Sequence, residues 1–166
     1  EVKKLTAILL TMILALSMTS TAFAAEITEG DGNPKSEEVT ISASIAPTYT
    51  VTIPKDIQVE FNKTSTAFGT ISLDKAQIDP GRAVKVGLTA SGLLKNKGDD
   101  TKTIAYAINA GGTAFKSREY TTAGQSTPLT IDITKQAWDQ AYAGEYSDTV
   151  TFTISYVEAS GAAVNP

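Results

Sequence analysis

The chain has 166 residues, of which 42% are hydrophobic, and its formal net charge is −4. This size and composition suit one folded domain with a core, and the acidic balance excludes nucleic-acid binding, which requires clustered cations. The absence of Cys and His from the whole sequence excludes disulfides, catalytic triads, thiol nucleophiles and the usual nitrogen and sulfur ligands of zinc.

Residues 1–24 have the pattern of a secretory signal peptide. Lys3 and Lys4 precede an apolar run over residues 5–18, and Ala22 and Ala24 supply the small residues of a cleavage site. The apolar run is shorter than the roughly 20 residues of a membrane span. We therefore expect cleavage after Ala24, with membrane contact only during export. Residues 25–37 are acidic and rich in turn formers, and they match no calcium-loop spacing, so they predict a flexible leader.

Apolar residues alternate from Glu38 onward. Val39, Ile41, Ala43 and Ile45 share one face, and Pro47 then interrupts the pattern. Two interpretations remain open for this stretch. It is either the first strand of its own domain or a donor strand that completes the sheet of a neighbouring subunit by β-augmentation.

The middle of the chain repeats short alternating stretches separated by turn residues. The predicted strands are 48–53, 57–61, 68–73, 82–91, 103–109, 113–116 and 129–133. Residues 93–101 form a polar loop in which Asn96, Asp99 and Asp100 suggest a metal site. A solvated hairpin tip is the favoured interpretation, so we predict no metal.

The period changes between Thr134 and Tyr142. Thr134 is a suitable helix cap, and Trp138, Ala141 and Tyr142 follow at helical spacing. A short helix over 134–142 is predicted to close one end of the fold with Trp138. The longest alternating strand follows over residues 145–158, and residues 159–166 are predicted to be a disordered tail.

These patterns together predict an all-β fold. Eight or nine short strands with turns between them are typical of an antiparallel β-sandwich of the immunoglobulin-like, Greek-key type. The predicted sandwich domain covers residues 38–158.

Two segments resemble secreted surface sandwiches of Gram-positive bacteria. Ala143-Gly144-Glu145-Tyr146 with the strand after it resembles the closing strand of pilin-like, spore-coat-U-like and WxL-like adhesin or matrix domains. Residues 48–57 resemble an opening segment of such proteins. The resemblance also implies a tyrosine corner at Tyr146, in which the hydroxyl bonds the backbone before its strand. It brings no catalytic residues, and the chain lacks the Trp-x-Leu motif.

The favoured functional hypothesis is a secreted, non-enzymatic cell-surface or extracellular protein with a structural or adhesive role. Its expected partners are other surface proteins or copies of itself, assembled as a pilus or matrix through the N-terminal strand, and no cofactor is expected. No two carboxylates stand in a catalytic context, which argues against a glycoside hydrolase. Lys85 and Asn109 form no convincing trio with an acid for an intramolecular isopeptide bond.

The alternative hypothesis is a carbohydrate-binding module of the cell surface. Such modules hold sugar rings against exposed aromatic side chains. Three aromatic residues do not fall cleanly on the predicted core faces and are therefore the candidate glycan-binding residues: Phe115, Tyr120 and Tyr142.

Overall fold

The computed structural model describes residues 38–161, which belong to two units divided between Ala46 and Pro47. The predicted signal peptide, the leader over 25–37 and the tail beyond Gly161 lie outside the described residues. In the N-terminal unit, residues 38–46 carry no helix or strand.

The C-terminal unit is built almost entirely from antiparallel strands, which confirms the predicted fold class. Its described part contains eleven strands and one helix. The strands are β1 (Thr48–Thr52), β2 (Ser65–Gln77), β3 (Arg82–Thr89), β4 (Leu93–Asn96), β5 (Thr103–Ala105), β6 (Ala107–Ala110), β7 (Thr113–Ala114), β8 (Ser117–Tyr120), β9 (Ser126–Asp132), β10 (Tyr146–Ser147) and β11 (Thr151–Glu158).

The strands form two main sheets and one small sheet. The first main sheet has the order β1-β2-β9-β6-β7, and the second has the order β11-β3-β8. Contacts between the main sheets show that they face each other: Tyr49 stacks on Tyr156, and the Phe68 and Phe152 ring centroids are 6.1 Å apart. The small sheet has the order β10-β4-β5.

The core lies between the facing sheets and follows the alternation of the strands. Ile71 and Leu73 of β2, Val84 and Val86 of β3 and Leu129 of β9 are buried. Because successive side chains of a strand point to opposite faces, the residues between them remain available to solvent or to hydrogen bonding.

One short helix, α1 (Lys135–Asp139), lies within the predicted range of 134–142. Thr134 caps it, as predicted, because its hydroxyl accepts a hydrogen bond from the backbone N–H of Ala137. Trp138 is buried and donates from Nε1 to the carbonyl oxygen of Lys63 at 2.9 Å. Between residues 38 and 161, no helix has the length and apolar character needed to cross a membrane.

The strands differ in detail from the sequence prediction. Residues 38–46 and 57–61 are not strands, although both alternate. In the second stretch, Val59 packs against the core and Phe61 contacts Trp138, so these side chains serve packing without a ladder. β4 and β8 were missed, since their polar residues are typical of loops. The predicted strand over 103–109 divides at Tyr106 into β5 and β6, which pair in different sheets.

The predicted strand over 145–158 is also divided. β10 pairs with β4 in the small sheet, whereas β11 pairs with β3 in a main sheet. Asp148 lies between them and accepts hydrogen bonds from Ser91 and Tyr106, which holds the crossing chain in place.

The hydrogen bonding of the domain extends past its predicted end at Glu158. The backbone N–H of Ala159 donates to the carbonyl oxygen of Gly81 at 2.8 Å, and Ser160 donates to the Glu119 carboxylate from both its N–H and its hydroxyl. The prediction that the disordered tail begins at residue 159 is therefore wrong for Ala159 and Ser160, because each is hydrogen-bonded to the domain.

Candidate functional site

The three candidate glycan-binding residues do not form one exposed aromatic surface. Phe115 and Tyr120 are buried in the core, and the Tyr120 hydroxyl donates to Thr127 Oγ1 at 2.7 Å. The prediction that these two rings face a sugar is therefore wrong, since the core occupies their faces. Tyr142 is 63% exposed, and the Lys102 ammonium lies 4.8 Å from its ring centroid.

Tyr146 makes a hydrogen bond of the kind that a tyrosine corner contains. Its hydroxyl donates to the carbonyl oxygen of Tyr142 at 3.0 Å, across the chain that leads into β10. The bond is exposed and joins two neighbouring parts of one loop. Its role is therefore to hold the loop shape before the final strands, and it offers no reactive group.

The hairpin tip considered for a metal uses its side chains to shape the turn. Asn96 is buried, and its Oδ1 accepts hydrogen bonds from the backbone N–H groups of Gly98 and Asp99. Asp99 Oδ1 in turn accepts from the backbone and the hydroxyl of Thr101, and these bonds lower the pKa of Asp99. Over residues 38–161, no group of three acidic side chains is placed to hold a metal ion.

The Asp148 carboxylate is the centre of a partly buried polar network. It accepts hydrogen bonds from the Ser91 hydroxyl at 2.7 Å and the Tyr106 hydroxyl at 2.6 Å. Burial acts to raise the pKa of Asp148, but the hydrogen bonds from Tyr106, Ser91 and the Thr149 backbone outweigh it, so the pKa is lowered. Burial first, and the hydrogen bond and charge of Asp148 second, raise the pKa of Tyr106.

The groups considered for an isopeptide bond lie on different sheets with separate partners. Lys85 on β3 is 4.0 Å from the carboxylate of Glu119. Asn109 on β6 donates from Nδ2 to Asp132, which also accepts from Ser65. These contacts give each residue a structural role of its own.

Two shallow clefts of about 420 Å³ each lie on the described surface. In the first, Asp79 binds the Tyr156 hydroxyl through both its backbone N–H and its carboxylate. In the second, Ser91 and Tyr106 are bonded to Asp148. Asp79 in the first cleft and Ser91 and Tyr106 in the second therefore hold neighbouring parts of the chain together.

The candidate donor segment stands out by its exposure. Val39 is 76% exposed, Ile41 is 96% exposed and Ile45 is 67% exposed. Large aliphatic side chains rarely remain this exposed in series on a soluble protein, because each loses free energy to contact with water. This segment is the strongest candidate for a functional contact.

A second apolar feature, which was not predicted from the sequence, is the free edge of β11. Ile154 is opposite Val86 in the ladder and therefore on the same, core-directed face. Val86 is fully buried, whereas Ile154 is 37% exposed. The available signal was the run from Thr149 to Val157, which contains no charge and no proline.

Comparison with known proteins identifies no family. No protein-family model and no curated protein matches the chain. It is similar to a chain of a solved chaperone–tip adhesin complex, described as vital for synergistic activation of CFA/I fimbriae biogenesis, with a TM-score of 0.41 and 14% identity. The match covers 68% of this chain and 43% of that chain, so the present chain spans less than half of that length.

Proposed function

We propose that this protein is exported and acts outside the cell as a non-enzymatic structural or adhesive subunit, assembled through its N-terminal segment. The observation that carries the proposal is the exposed apolar face of that segment, formed by Val39, Ile41, Ala43 and Ile45. An unpaired segment with period-two alternation suits a strand that completes its pairing on a partner.

The polar groups of the described domain support a role without catalysis. Asp132 and Asp148 accept several structural hydrogen bonds, which lower the pKa of each carboxyl group against the opposing effect of burial. A general acid requires the opposite shift, toward neutral pH. The two clefts agree with this, because Asp79 in one and Tyr106 in the other are engaged in hydrogen bonds between distant parts of the chain.

Export is supported by the sequence of residues 1–24, with its basic start, apolar run and small residues before Ala25. A Cys-free, acidic chain with Thr-rich strands is suited to a surface role that depends on binding contacts and requires no reactive group. The expected partners are copies of this chain or other surface proteins.

The test is the association state of the chain from Ala25 onward, measured by size-exclusion chromatography with light scattering and by electron microscopy for filaments. We expect concentration-dependent association that is lost when residues 25–46 are deleted. Deletion of residues 25–37 alone is the matched control, and it should leave association intact. A monomer that neither deletion changes would contradict the proposal, as would turnover of a substrate by the purified protein.

A further inference from the structure

The last strand of the sandwich has a complete ladder on one side only. Among residues 38–161, β11 pairs with β3 and with no other strand. The Ala159 N–H bonds the carbonyl oxygen of Gly81, and this pair continues the β11–β3 register. Because hydrogen-bonded and non-hydrogen-bonded pairs alternate in an antiparallel ladder, the N–H and C=O groups of Phe152, Ile154 and Tyr156 point to the free edge.

This edge lacks the devices that normally prevent strand addition. Edge strands are commonly protected by charge, proline, bulges or shortness. β11 pairs with β3 over eight residues without a register shift, and it carries no charge before Glu158. By contrast, β8 at the other edge of the same sheet is four residues long and contains Arg118 and Glu119. The sheet is therefore open to an added strand on the β11 side.

The side chains of β11 also favour an addition there. Ile154 faces the core side of the sheet but remains partly exposed, whereas Val86 beside it is fully buried. A strand placed next to β11 would set its own apolar side chains beside Ile154 on the core side. Its polar side chains would lie with Thr153 and Ser155 on the outer side.

Residues 39–45 have the properties that such a strand needs. The sequence Val-Thr-Ile-Ser-Ala-Ser-Ile is uncharged and alternates throughout, and its seven residues compare with eight in β11. Pro47 follows and ends the possible ladder, because proline has no N–H to donate. Val39, Ile41 and Ile45 are exposed, so pairing with the edge of a sheet would cover apolar side chains that water now contacts.

We propose that residues 39–45 of one molecule add to the free edge of β11 in a second copy of the chain, with Val39, Ile41, Ala43 and Ile45 on the core side. This inference rests on the proposed function and names the surface that receives the segment. Each copy has one such segment and one β11 edge, so the contact joins two different surfaces. Repeated head-to-tail, it generates a ring or an open chain of subunits.

The absence of Cys from the sequence allows a direct test by disulfide trapping. Single-cysteine variants of the chain from Ala25 onward, V39C, I41C, A43C and I45C, are each mixed with I154C under mild oxidation. We expect at least one pair to form a heterodimer about tenfold faster than the same variants mixed with R118C on β8. T40C, on the opposite face of the segment, is the matched control and should react slowly with I154C.

The outcomes separate the two proposals. Association that depends on residues 39–45 but traps R118C in place of I154C would overturn the β11 assignment and leave the proposed function standing. A monomeric protein that gives no trapped pair would overturn both. A double variant I41C/I154C that closes a disulfide within one monomer would show that the segment covers its own edge, and this would overturn the second-copy assignment.

The contact is also tested without cysteine. Ile41→Lys adds a charge to the apolar face of an exposed segment, so the domain should keep its stability while association weakens at least tenfold. Thr40→Lys adds the same charge to the polar face and should weaken association far less. Equal effects of the two substitutions would show that the face of the segment does not matter, and the proposal would then be wrong.

Discussion

Gly144 lies directly against the side-chain amide of Asn96, so that a methyl group added at Gly144 would overlap it. The Gly144 φ angle of +145° is also one that other residues rarely adopt. Asn96 donates from Nδ2 to the carbonyl oxygen of Ala143 at 3.4 Å. The Ala-Gly-Glu-Tyr motif is therefore the site where the β4–β5 hairpin is fixed to the chain that enters the final strands.

Replacement of Gly144 by alanine should disrupt this contact. We expect Gly144→Ala to lower the free energy of unfolding by about 1–3 kcal/mol for the overlap alone, with backbone strain in addition. Gly111→Ala is the control, because Gly111 also has a positive φ but its added methyl group would meet no other atom within 4 Å. Urea denaturation should show a clearly larger loss for Gly144→Ala, and equal losses would argue against the Asn96 contact.

The Asp148 network predicts a pH-dependent stability. Hydrogen bonds hold the folded-state pKa of Asp148 below its ordinary value of 3.8, so its contribution is fully present at neutral pH. That contribution is lost as the pH falls through the lowered folded-state pKa. We expect Asp148→Asn to cost about 1–2 kcal/mol at pH 7 and to differ less from the wild type at about pH 2.5.

Denaturant midpoints at the two pH values measure this difference. Asp100→Asn, in the exposed hairpin turn, is the control and should match the wild type at both. If Asp148→Asn and the wild type stayed equally far apart in acid, the carboxylate would not be the source of the stability.

The alternation of apolar residues was sufficient to predict the fold class, because Val84 and Val86 or Ile71 and Leu73 place one face of each strand in the core. It did not distinguish an unpaired alternating segment from a paired one, since residues 39–45 have the same pattern as a core strand. Pairing depends on what lies beside a strand, which is not a local property.

Because pairing is not a local property, the sequence also did not predict the division of the final strand or the burial of Phe115 and Tyr120. Asp148 has the inward parity of the predicted strand, where an apolar residue is expected. It lies where the chain crosses between sheets, and the hydrogen bonds from Tyr106 and Ser91 that satisfy it there join residues distant in sequence. Phe115 lay in the predicted strand over 113–116 and Tyr120 in the loop predicted after it. β8 instead turns Tyr120 into the core beside β3. Edge strands with polar residues are difficult to recognise from sequence, and their aromatic residues are then misplaced.

The burial of Tyr120 and the exposure of Tyr142 predict opposite effects of mutation. Tyr120→Ala should remove a fully buried ring and lower the free energy of unfolding by about 3–5 kcal/mol. Tyr142→Ala should cost at most about 1 kcal/mol, the value of an exposed contact with Lys102. Thermal unfolding of the two variants checks this order, and a large loss for Tyr142→Ala would place that ring in the core.

Trp138, the single tryptophan of the sequence, provides a fluorescent probe of the packing around helix α1. Its ring is buried, donates to the Lys63 carbonyl oxygen and meets the Phe61 ring edge-on at a centroid distance of 5.6 Å. Phe61 is itself exposed, so it shields Trp138 from water on one side. We expect Phe61→Ala to shift the native Trp emission to longer wavelength and to lower the free energy of unfolding by about 0.5–1.5 kcal/mol. Thr153→Ala, which truncates an exposed side chain on the outer face of β11, should leave the emission unchanged, and an unshifted spectrum in Phe61→Ala would mean that the core alone buries the indole.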